Sequence, residues 1–248
     1  MARIRAVLFD IDGTLLESND AHTHAWVEAL RGHGHEVPFE RVRSKIGMDG
    51  DKLLAELIHV EHDSTLGKAI ASSCGLVMKQ HLADLGPFHG ARVLVDMLRS
   101  RGLVCVAISS ASADDVADLL RVAGVADLMD EVICGDDAAG GADAARAAGS
   151  KPEPDLVQVA LDRLEIFADE AIMVGDTPYD IDAAARANVS TIAMRCGGFW
   201  SDEDLSGAVA IFDDPADLAA HLDHSPLALD RESLAPPSPV RVRARPHL

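Results

Sequence analysis

Two aspartates stand directly after an apolar run near the start of the chain. The stretch AVLFDIDGTLLES places Asp10 and Asp12 two positions apart and follows them with Gly and Thr. A second apolar run, in MVGDTPYD, is followed by Asp176 and Asp180. Carboxylates in such positions serve as nucleophiles, as general acids and bases, or as metal ligands. The residue types therefore indicate chemistry at the ends of two apolar segments.

The charges of these aspartates limit what the site can be. Two carboxylates about 4 Å apart repel each other by roughly 4 kcal/mol at an effective dielectric constant of about 20, so Asp10, Asp176 and Asp180 at one place need a compensating cation. Mg²⁺ prefers oxygen ligands, and it usually keeps waters and substrate phosphate oxygens beside a few carboxylates. Lys151, in SKPEPD, adds a positive side chain. The combination points to chemistry on a phosphate group.

The elements that must position these residues alternate along the chain. Short apolar runs separated by segments of helical periodicity predict an α/β fold with a parallel sheet covered on both faces. Ligands bind at the carboxyl ends of such strands, where these aspartates stand. The predicted strands are 5–10, 103–110, 131–135, 171–176, 190–196 and 209–213, and the predicted helices are 91–101, 113–122, 154–164 and 179–187.

One interval interrupts the alternation. Residues 19–87 contain only helical patterns, with breaks at 32–38, 47–50 and 62–64, which is far more chain than one crossover between parallel strands needs. We therefore expect an inserted helical domain. The expected units are a core at 1–18 and 88–224, a helical cap at 19–87, and a flexible tail rich in Pro and Arg at 225–248.

The composition excludes several classes of protein. A formal net charge of −19 argues against binding to nucleic acid or to anionic membranes, because neutralising phosphates takes clustered Lys and Arg. The 4 cysteines show no CxxC spacing, and we interpret them as reduced core residues. Without a signal segment or an apolar stretch of about 18 residues, the expected location is the cytoplasm. No protein partner is indicated.

Four segments together resemble the motifs of a known superfamily. FDIDGTL, VAISSAS, SKPEPD and MVGDTPYD are similar, in this order and on matching elements, to the four motifs of the haloacid dehalogenase-like (HAD) hydrolases. The resemblance covers residues 4–222. It implies a Rossmann-like core with an inserted helical cap, as in phosphoglycolate phosphatases and β-phosphoglucomutases. Mg²⁺ is the implied cofactor, and a small phosphorylated molecule is the implied partner.

The resemblance implies a role for each matching aspartate. Asp10 matches the nucleophile, which forms an aspartyl-phosphate intermediate and contacts the metal. Asp12 matches the general acid and base, and its backbone oxygen matches a metal ligand. Asp176 matches a direct metal ligand. Asp180 matches a position that either ligates the metal or orients its water.

The phosphate-binding positions follow from the same resemblance. Ser110, the adjacent Ala111 and Lys151 match the residues that hold the phosphate group. Ser109 is the alternative to Ser110, and we favour Ser110 because residues 104–108 fill the predicted strand.

The cap segment offers fewer candidates for substrate contact. In SKIGMDGDKLL, Lys45 and Lys52 either meet a second anionic group of the substrate or are solvated helix lysines. His22, near the expected hinge of the cap, is a further candidate. The other histidines lack a zinc-binding spacing, and we expect them on the surface or in the core.

Asp12 also selects among the activities that the resemblance implies. Dehalogenases and phosphonoacetaldehyde hydrolases of the superfamily lack an acid at this position, so the expected function is a Mg²⁺-dependent phosphatase of a sugar phosphate or a phosphoglycolate-like acid. One alternative is a phosphomutase similar to β-phosphoglucomutase. The alternative from another class is a non-catalytic binding protein that kept the fold, although such a protein would be expected to lose Asp10 or Asp12.

Overall fold

Six apolar runs of the chain form one parallel sheet. The computed structural model describes residues 3–138 and 153–228, so Lys151 and most of the tail lie outside the described residues. The strands are β1 (Ala6–Phe9), β2 (Val104–Ile108), β3 (Glu131–Ile133), β4 (Ala171–Gly175), β5 (Ser190–Met194) and β6 (Ala210–Phe212). Their order in the sheet is β3-β2-β1-β4-β5-β6, and all neighbours are parallel. The predicted α/β fold is confirmed.

Both faces of this sheet are buried. Successive residues of a strand point to opposite faces, and in the central strand both sets of side chains lie in apolar clusters. In β1, Val7 and Phe9 belong to one apolar cluster, whereas Ala6 and Leu8 belong to another. This explains why the central strands are apolar throughout, as is typical of parallel sheets. The helices from residue 91 onward are α5 (Ala91–Ser100), which precedes β2, and then α6 (Ala113–Val122), α7 (Gly135–Ala138), α8 (Asp155–Leu164), α9 (Pro178–Arg186) and α10 (Pro215–Ala220).

The long interval after β1 consists of helices. They are α1 (Asn19–Gly32), α2 (Phe39–Arg43), α3 (Gly50–Ile58) and α4 (Thr65–His81). Two of these helices are capped at the N-terminus by a side chain. The Asp49 carboxylate accepts the Asp51 N–H at α3, and the Ser64 hydroxyl accepts the Gly67 N–H at α4. Leu53 and Ile70 of this interval join the same apolar cluster as Val7. In the described part of the chain, no helix has the length and apolar character to cross a membrane.

Both ends of the helical interval lie side by side. The Glu17 N–H donates to the Gly86 carbonyl at 3.0 Å, and the Phe88 N–H donates to the Leu15 carbonyl at 3.0 Å. Because entry and exit are adjacent, the sheet accommodates about seventy extra residues without losing a strand. Adjacent ends are what an inserted unit at 19–87 requires, and the division into core and cap stays a prediction.

Candidate active site

Three carboxylates meet at the carboxyl end of the central strands. Asp10 follows β1 and Asp176 follows β4; these strands are neighbours, and the Asp10 N–H donates to the Val174 carbonyl at 2.9 Å. Asp180 lies in the first turn of α9. One oxygen from each carboxylate lies within 4.8 Å of the others, and all three residues are buried. The structure thus brings together side chains that are up to 170 positions apart in sequence.

Asp176 is held in place by two donors and two close glycines. Thr14 Oγ1 donates to Asp176 Oδ1 at 3.2 Å, and Asn19 Nδ2 donates to Asp176 Oδ2 at 2.8 Å. A Cβ at Gly13 would lie 2.3 Å from Asp176 Oδ2, and one at Gly197 would lie 1.8 Å from it. Only residues without a side chain fit at these two positions, and the two donors orient the carboxylate in the space they leave.

Asp180 is both a helix-capping residue and a member of the carboxylate cluster. Its Oδ2 accepts the Thr177 N–H at 3.0 Å and the Thr177 hydroxyl at 2.7 Å. The Asp180 N–H in turn donates to Thr177 Oγ1 at 3.2 Å, which completes a reciprocal cap at the start of α9. The capping interaction fixes one oxygen of Asp180 and thereby the direction of the whole carboxylate.

Asp12 lies beside this cluster and is bound by two residues from the start of the helical interval. Its Oδ1 accepts the Ser18 hydroxyl at 2.5 Å and contacts His22 Nε2 at 2.9 Å. Burial disfavours the charged form of His22, but the attraction and hydrogen bond of the Asp12 carboxylate outweigh this and raise the pKa of His22. The structure therefore ties Asp12 to the start of α1 through Ser18 and His22.

The serines after β2 occupy two different environments. Ser109 is buried, and its Oγ accepts the Ala111 N–H at 3.2 Å. Ser110 is half-buried, and both serines line, with Ala111, the cavity that also contains Asp10 and Asp12, so the cavity lining does not decide between them. Lys151, the predicted partner of Ser110 in phosphate binding, lies outside the described residues, so this part of the predicted site stays untested.

The cavity over these residues has a volume of about 620 Å³ and reaches between the sheet edge and α1, α3 and α4. Lys45 and Lys52 do not line it: Lys45 pairs with Glu56, and Lys52 Nζ lies 3.2 Å from Glu153 Oε1. Among the Lys and Arg side chains of the described ranges, Lys79 alone lines this cavity. His22 also borders it, as expected for a candidate substrate contact.

Sequence reasoning missed two buried residues that support the site. Asn19 donates to Asp176, and Arg43, which is 4% exposed, donates through Nη2 to the Gly197 carbonyl and through Nε to Asp20 Oδ1 at 2.9 Å. Asn19 follows Ser18 at a helix start, and an asparagine in that place is ordinarily interpreted as a capping residue. Arg43 lies in an amphipathic helix, where an arginine is usually solvated. Neither position carried a signal of its contact across the sheet edge.

The carboxylate cluster fits a hard divalent cation. Asp10, Asp176 and Asp180 supply oxygen donors only, and burial brings their negative charges together away from bulk water. Such an arrangement is unfavourable without positive charge and is favourable around a cation that prefers oxygen ligands. The donor set therefore fits a divalent metal of the magnesium type better than a metal that prefers nitrogen or sulfur ligands.

Comparisons with known proteins agree with this geometry. The chain is 30% identical over 244 residues to the phosphoglycolate phosphatase of Rhodospirillum rubrum, across 94% of this chain and 96% of that protein. It is 26% identical over 228 residues to the N-acetylmuramic acid 6-phosphate phosphatase of Pseudomonas aeruginosa, across 90% of this chain and 96% of that protein. A hydrolase from Pseudomonas syringae of known crystal structure superposes with a TM-score of 0.79 at 25% identity, across 89% of this chain and 98% of that one.

The family itself follows from a match over most of the chain. Residues 7–194 match the family model of haloacid dehalogenase-like hydrolases, a span that contains all but the first residue of β1, the strands β2 to β5 and all three clustered aspartates. The chain belongs to the haloacid dehalogenase-like hydrolase family.

Proposed function

We propose that this hydrolase of phosphoric esters is a Mg²⁺-dependent phosphatase of a small phosphorylated metabolite, a sugar phosphate or a phosphoglycolate-like acid. The observation that carries the proposal is the buried cluster of Asp10, Asp176 and Asp180 at the end of the sheet, with Asp12 beside it facing one cavity. The relatives named as phosphatases of phosphoglycolate and of a sugar phosphate support the same class of substrate.

In the proposed reaction Asp10 is the nucleophile. A carboxylate oxygen of Asp10 forms a bond to phosphorus while the bond from phosphorus to the leaving oxygen breaks, and the product is an aspartyl-phosphate. A backbone hydrogen bond to Val174 positions Asp10 at the end of β1. Because positioning supplies much of the rate in phosphoryl transfer, a residue anchored by the sheet suits this role.

Asp12 carries the proton in both halves of the proposed reaction. It gives a proton to the leaving oxygen as the first bond breaks, and it later takes a proton from the water that attacks the phosphorus of the intermediate. The second step restores the Asp10 carboxylate and releases inorganic phosphate. Ser18 and His22 hold Oδ1 of Asp12, so the carboxyl group keeps one orientation through both steps.

The remaining residues bind the phosphate group and the metal. Asp10, Asp176, Asp180 and the backbone oxygen of Asp12 would hold Mg²⁺. When bound, Mg²⁺ supplies positive charge that offsets the negative charge of the carboxylates and of the phosphate. Ser110, Ala111 and Lys151 are the proposed contacts of the transferred phosphate group.

The charged contacts of the cap favour a phosphatase over a phosphomutase. A mutase must hold the second phosphate of a bisphosphate intermediate, and Lys45 and Lys52 were the predicted candidates. Both are engaged with glutamates, and neither lines the cavity.

Phosphate release from a chromogenic aryl phosphate and from a panel of phosphorylated metabolites tests the proposal. We expect turnover that requires Mg²⁺, stops with EDTA and falls at least about a thousandfold in Asp10→Asn. Asp169→Asn is the matched control, since Asp169 is exposed and precedes β4 at the opposite end of the sheet. Equal rates in Asp10→Asn and the parent contradict the proposal, and no turnover on the whole panel favours a binding protein.

A second assay separates the two catalytic alternatives. The protein is incubated with a hexose 1-phosphate and a trace of the corresponding bisphosphate. A phosphatase releases inorganic phosphate, whereas formation of the 6-phosphate isomer without net release identifies a mutase.

A further inference from the structure

The cavity continues beyond Asp10 and Asp12 into a space enclosed largely by the helical interval. We name this space the leaving-group chamber, because it lies where the part of the substrate beyond the phosphate must sit. Its apolar wall consists of Trp26, Met48, Met78, Leu82 and Leu119. An indole ring and aliphatic or thioether side chains offer contact to carbon–hydrogen surfaces and no charge.

The polar groups of the chamber are mainly hydrogen-bond acceptors and hydroxyls. Asp49, Asp115, Ser72 and Ser112 all line it. Asp49 begins α3 and Asp115 lies in the first turn of α6, so both are fixed by helix starts on opposite sides of the space. Carboxylates and hydroxyls in an otherwise apolar pocket are well suited to accept hydrogen bonds from the hydroxyl groups of a ligand.

Within the described residues, the one lysine of the chamber is paired with a carboxylate, and His22 is engaged with Asp12. Lys79 Nζ lies 3.7 Å from Asp115 Oδ1, and His62 Nδ1 lies 2.8 Å from Asp51 Oδ1. In the part of the chain that the structure describes, no other Lys or Arg lines the space. A second anionic group on the substrate would therefore meet one paired ammonium together with the Asp49 and Asp115 carboxylates.

We propose that the chamber selects an uncharged, hydroxylated leaving group and discriminates against substrates that carry a second anion, whether a carboxylate or a second phosphate. The inference rests on the proposed function, and within it favours sugar phosphates over phosphoglycolate-like acids. The size of the cavity agrees: about 620 Å³ lies within the range of pockets that enclose ligands of many non-hydrogen atoms, whereas a two-carbon acid would leave much of it unfilled.

The test compares substrates that differ in charge but scarcely in size. Glycerol 1-phosphate and 3-phosphoglycerate differ by a hydroxymethyl group against a carboxylate, as do 2-hydroxyethyl phosphate and 2-phosphoglycolate. Sorbitol 6-phosphate and 6-phosphogluconate form a larger, open-chain pair with the same difference. We expect kcat/KM to be at least about tenfold higher for the member of each pair that lacks the carboxylate, which corresponds to about 1.4 kcal/mol.

A single substitution changes the charge of the chamber while keeping its shape. Asp115→Asn leaves Lys79 without its carboxylate, and an amide still suits the first turn of α6. We expect the preference for uncharged substrates to shrink at least about threefold, because the released ammonium attracts a second anion. In the matched control Asp169→Asn, whose carboxylate lies at the other end of the sheet, the preference stays as in the parent.

The two proposals fail in different ways. Faster hydrolysis of the carboxylate members, in a reaction that Asp10→Asn abolishes, overturns the charge preference and leaves the phosphatase intact. If Asp10→Asn releases phosphate as fast as the parent, the proposed function fails instead. Calorimetric titration of the same pairs into Asp10→Asn reads the preference without turnover, and equal or tighter binding of the carboxylate members overturns it.

Discussion

Asp176 shows how one side chain depends on residues that do no chemistry. Asn19 and Thr14 donate to its two oxygens, and the absence of a Cβ at Gly197 leaves space for Oδ2. The carbonyl of Gly197 also accepts hydrogen bonds from Asn19 and Arg43, so the same loop is tied to Asp176 from two sides. If Asp176 is a metal ligand as proposed, it is oriented before any metal binds, which reduces the cost of binding.

Replacement of Gly197 by alanine is expected to impair the site more than the fold. The added Cβ would lie 1.8 Å from Asp176 Oδ2, so the carboxylate must move away from Asn19. Since a displacement of about 1 Å in a catalytic constellation costs about a hundredfold in rate, we expect Gly197→Ala to lose activity on that scale. The measurements are kcat/KM and the Mg²⁺ concentration for half-maximal activity, which is expected to rise.

The neighbouring glycine provides the control for this prediction. Gly198 has a φ of +83°, and a Cβ there would come no closer than 3.7 Å to another group, the Cys196 carbonyl. Gly198→Ala should therefore lower the free energy of unfolding by about 1–2 kcal/mol through backbone strain while the Mg²⁺ requirement stays unchanged. Similar activity losses in both variants would contradict the role given to the contact with Asp176.

Asp49 makes the stability of the protein depend on pH. Burial, together with the nearby Asp51 carboxylate, raises the pKa of Asp49 from 3.8 to about 6. A raised carboxyl pKa means that the folded protein favours the neutral form, so the unfolded chain loses this proton at lower pH than the folded protein does. Asp49 therefore does not lower the free energy of unfolding below pH 3.8. It lowers this free energy increasingly as the pH rises through about 6.

Asp49→Asn is expected to stabilise the protein at pH 8 but not at pH ~4. The amide keeps the helix-capping acceptor for the Asp51 N–H and removes the charge. We expect a gain of about 1 kcal/mol at the higher pH, a value reduced from the full shift because the group is partly solvated. Urea unfolding at both pH values measures it, with Asp169→Asn as the control for a change in net charge. A gain that is equal at both pH values would disprove the assignment.

At the level of single residues, the sequence predicted what lies next to a strand and missed what crosses the molecule. Asp10 and Asp176 directly follow strands, and the ends of neighbouring parallel strands must meet, so their proximity was predictable. Arg43 reaches Gly197 across 154 positions, and its helix carries no local pattern that marks such a contact. Lys79 lies in the last turn of α4, and its entry into the cavity depends on how that helix packs.

At the level of elements, the helical interval contacts the sheet edge at three successive points. Arg43 reaches the Gly197 carbonyl, the Ser44 carbonyl accepts the Tyr179 hydroxyl at 2.8 Å, and a Cβ at Gly47 would lie 2.6 Å from Thr177 Cγ2. All three partners lie close in sequence to Asp176, Asp180 or the loop that touches them. The stretch from α2 to α3 is therefore the part of the helical interval whose position is coupled to the carboxylate cluster.

Removal of Arg43 is expected to weaken this attachment. The guanidinium is 4% exposed, donates to Gly197 and Asp20, and lies 5.4 Å from the centre of the Phe199 ring. Because hydrogen bonds from a charged, buried donor contribute about 1.5–3 kcal/mol, we expect Arg43→Ala to lower the free energy of unfolding by about 2–4 kcal/mol. Urea unfolding measures the change.

Another arginine of the cap serves as the control. Arg31 pairs with Glu36 at 3.6 Å, and both side chains are more than 60% exposed, at 63% and 79%. Exposed pairs of this kind contribute less than about 1 kcal/mol, so Arg31→Ala should change stability only slightly. Equal losses in both variants would show that Arg43 acts as an ordinary helix residue and not as an attachment to the sheet edge.

The elements themselves were more predictable than their contacts. All six predicted strands are present, because an apolar run of five or so residues between helical patterns has few other stable forms. The helix breaks at 32–38, 47–50 and 62–64 also coincide with connections between α1, α2, α3 and α4. How these four helices lean over the sheet edge depends on side chains such as Tyr179 and Arg43, and local periodicity contains no information about that.

At the level of the whole molecule, the net negative charge of the protein opposes the binding of an anionic substrate at the site. The formal net charge is −19, and three of the carboxylates counted in it are buried with oxygens within 4.8 Å of one another. The field of the whole protein therefore attracts divalent cations toward the sheet edge and repels anionic substrates. A substrate that carries a phosphate group must therefore gain its affinity from local contacts. A second anionic group would add to the repulsion, in line with the proposed preference of the chamber.

Binding of Mg²⁺ is expected to stabilise the folded protein, and this can be measured without any substrate. A cation that binds only the folded state at about a hundred times its dissociation constant contributes about 2.7 kcal/mol, which for a chain of this size raises Tm by about 5–10 °C. Asp176→Asn removes one charge from the buried cluster, so we expect this variant to unfold at a higher temperature than the parent in EDTA and to gain little from Mg²⁺. Asp169→Asn, with the same change in net charge, should keep the full Mg²⁺ response, and NaCl at equal ionic strength should not reproduce it. If Mg²⁺ raises the Tm of Asp176→Asn as much as that of the parent, the cation binds to the acidic surface, and the carboxylate cluster is not its site.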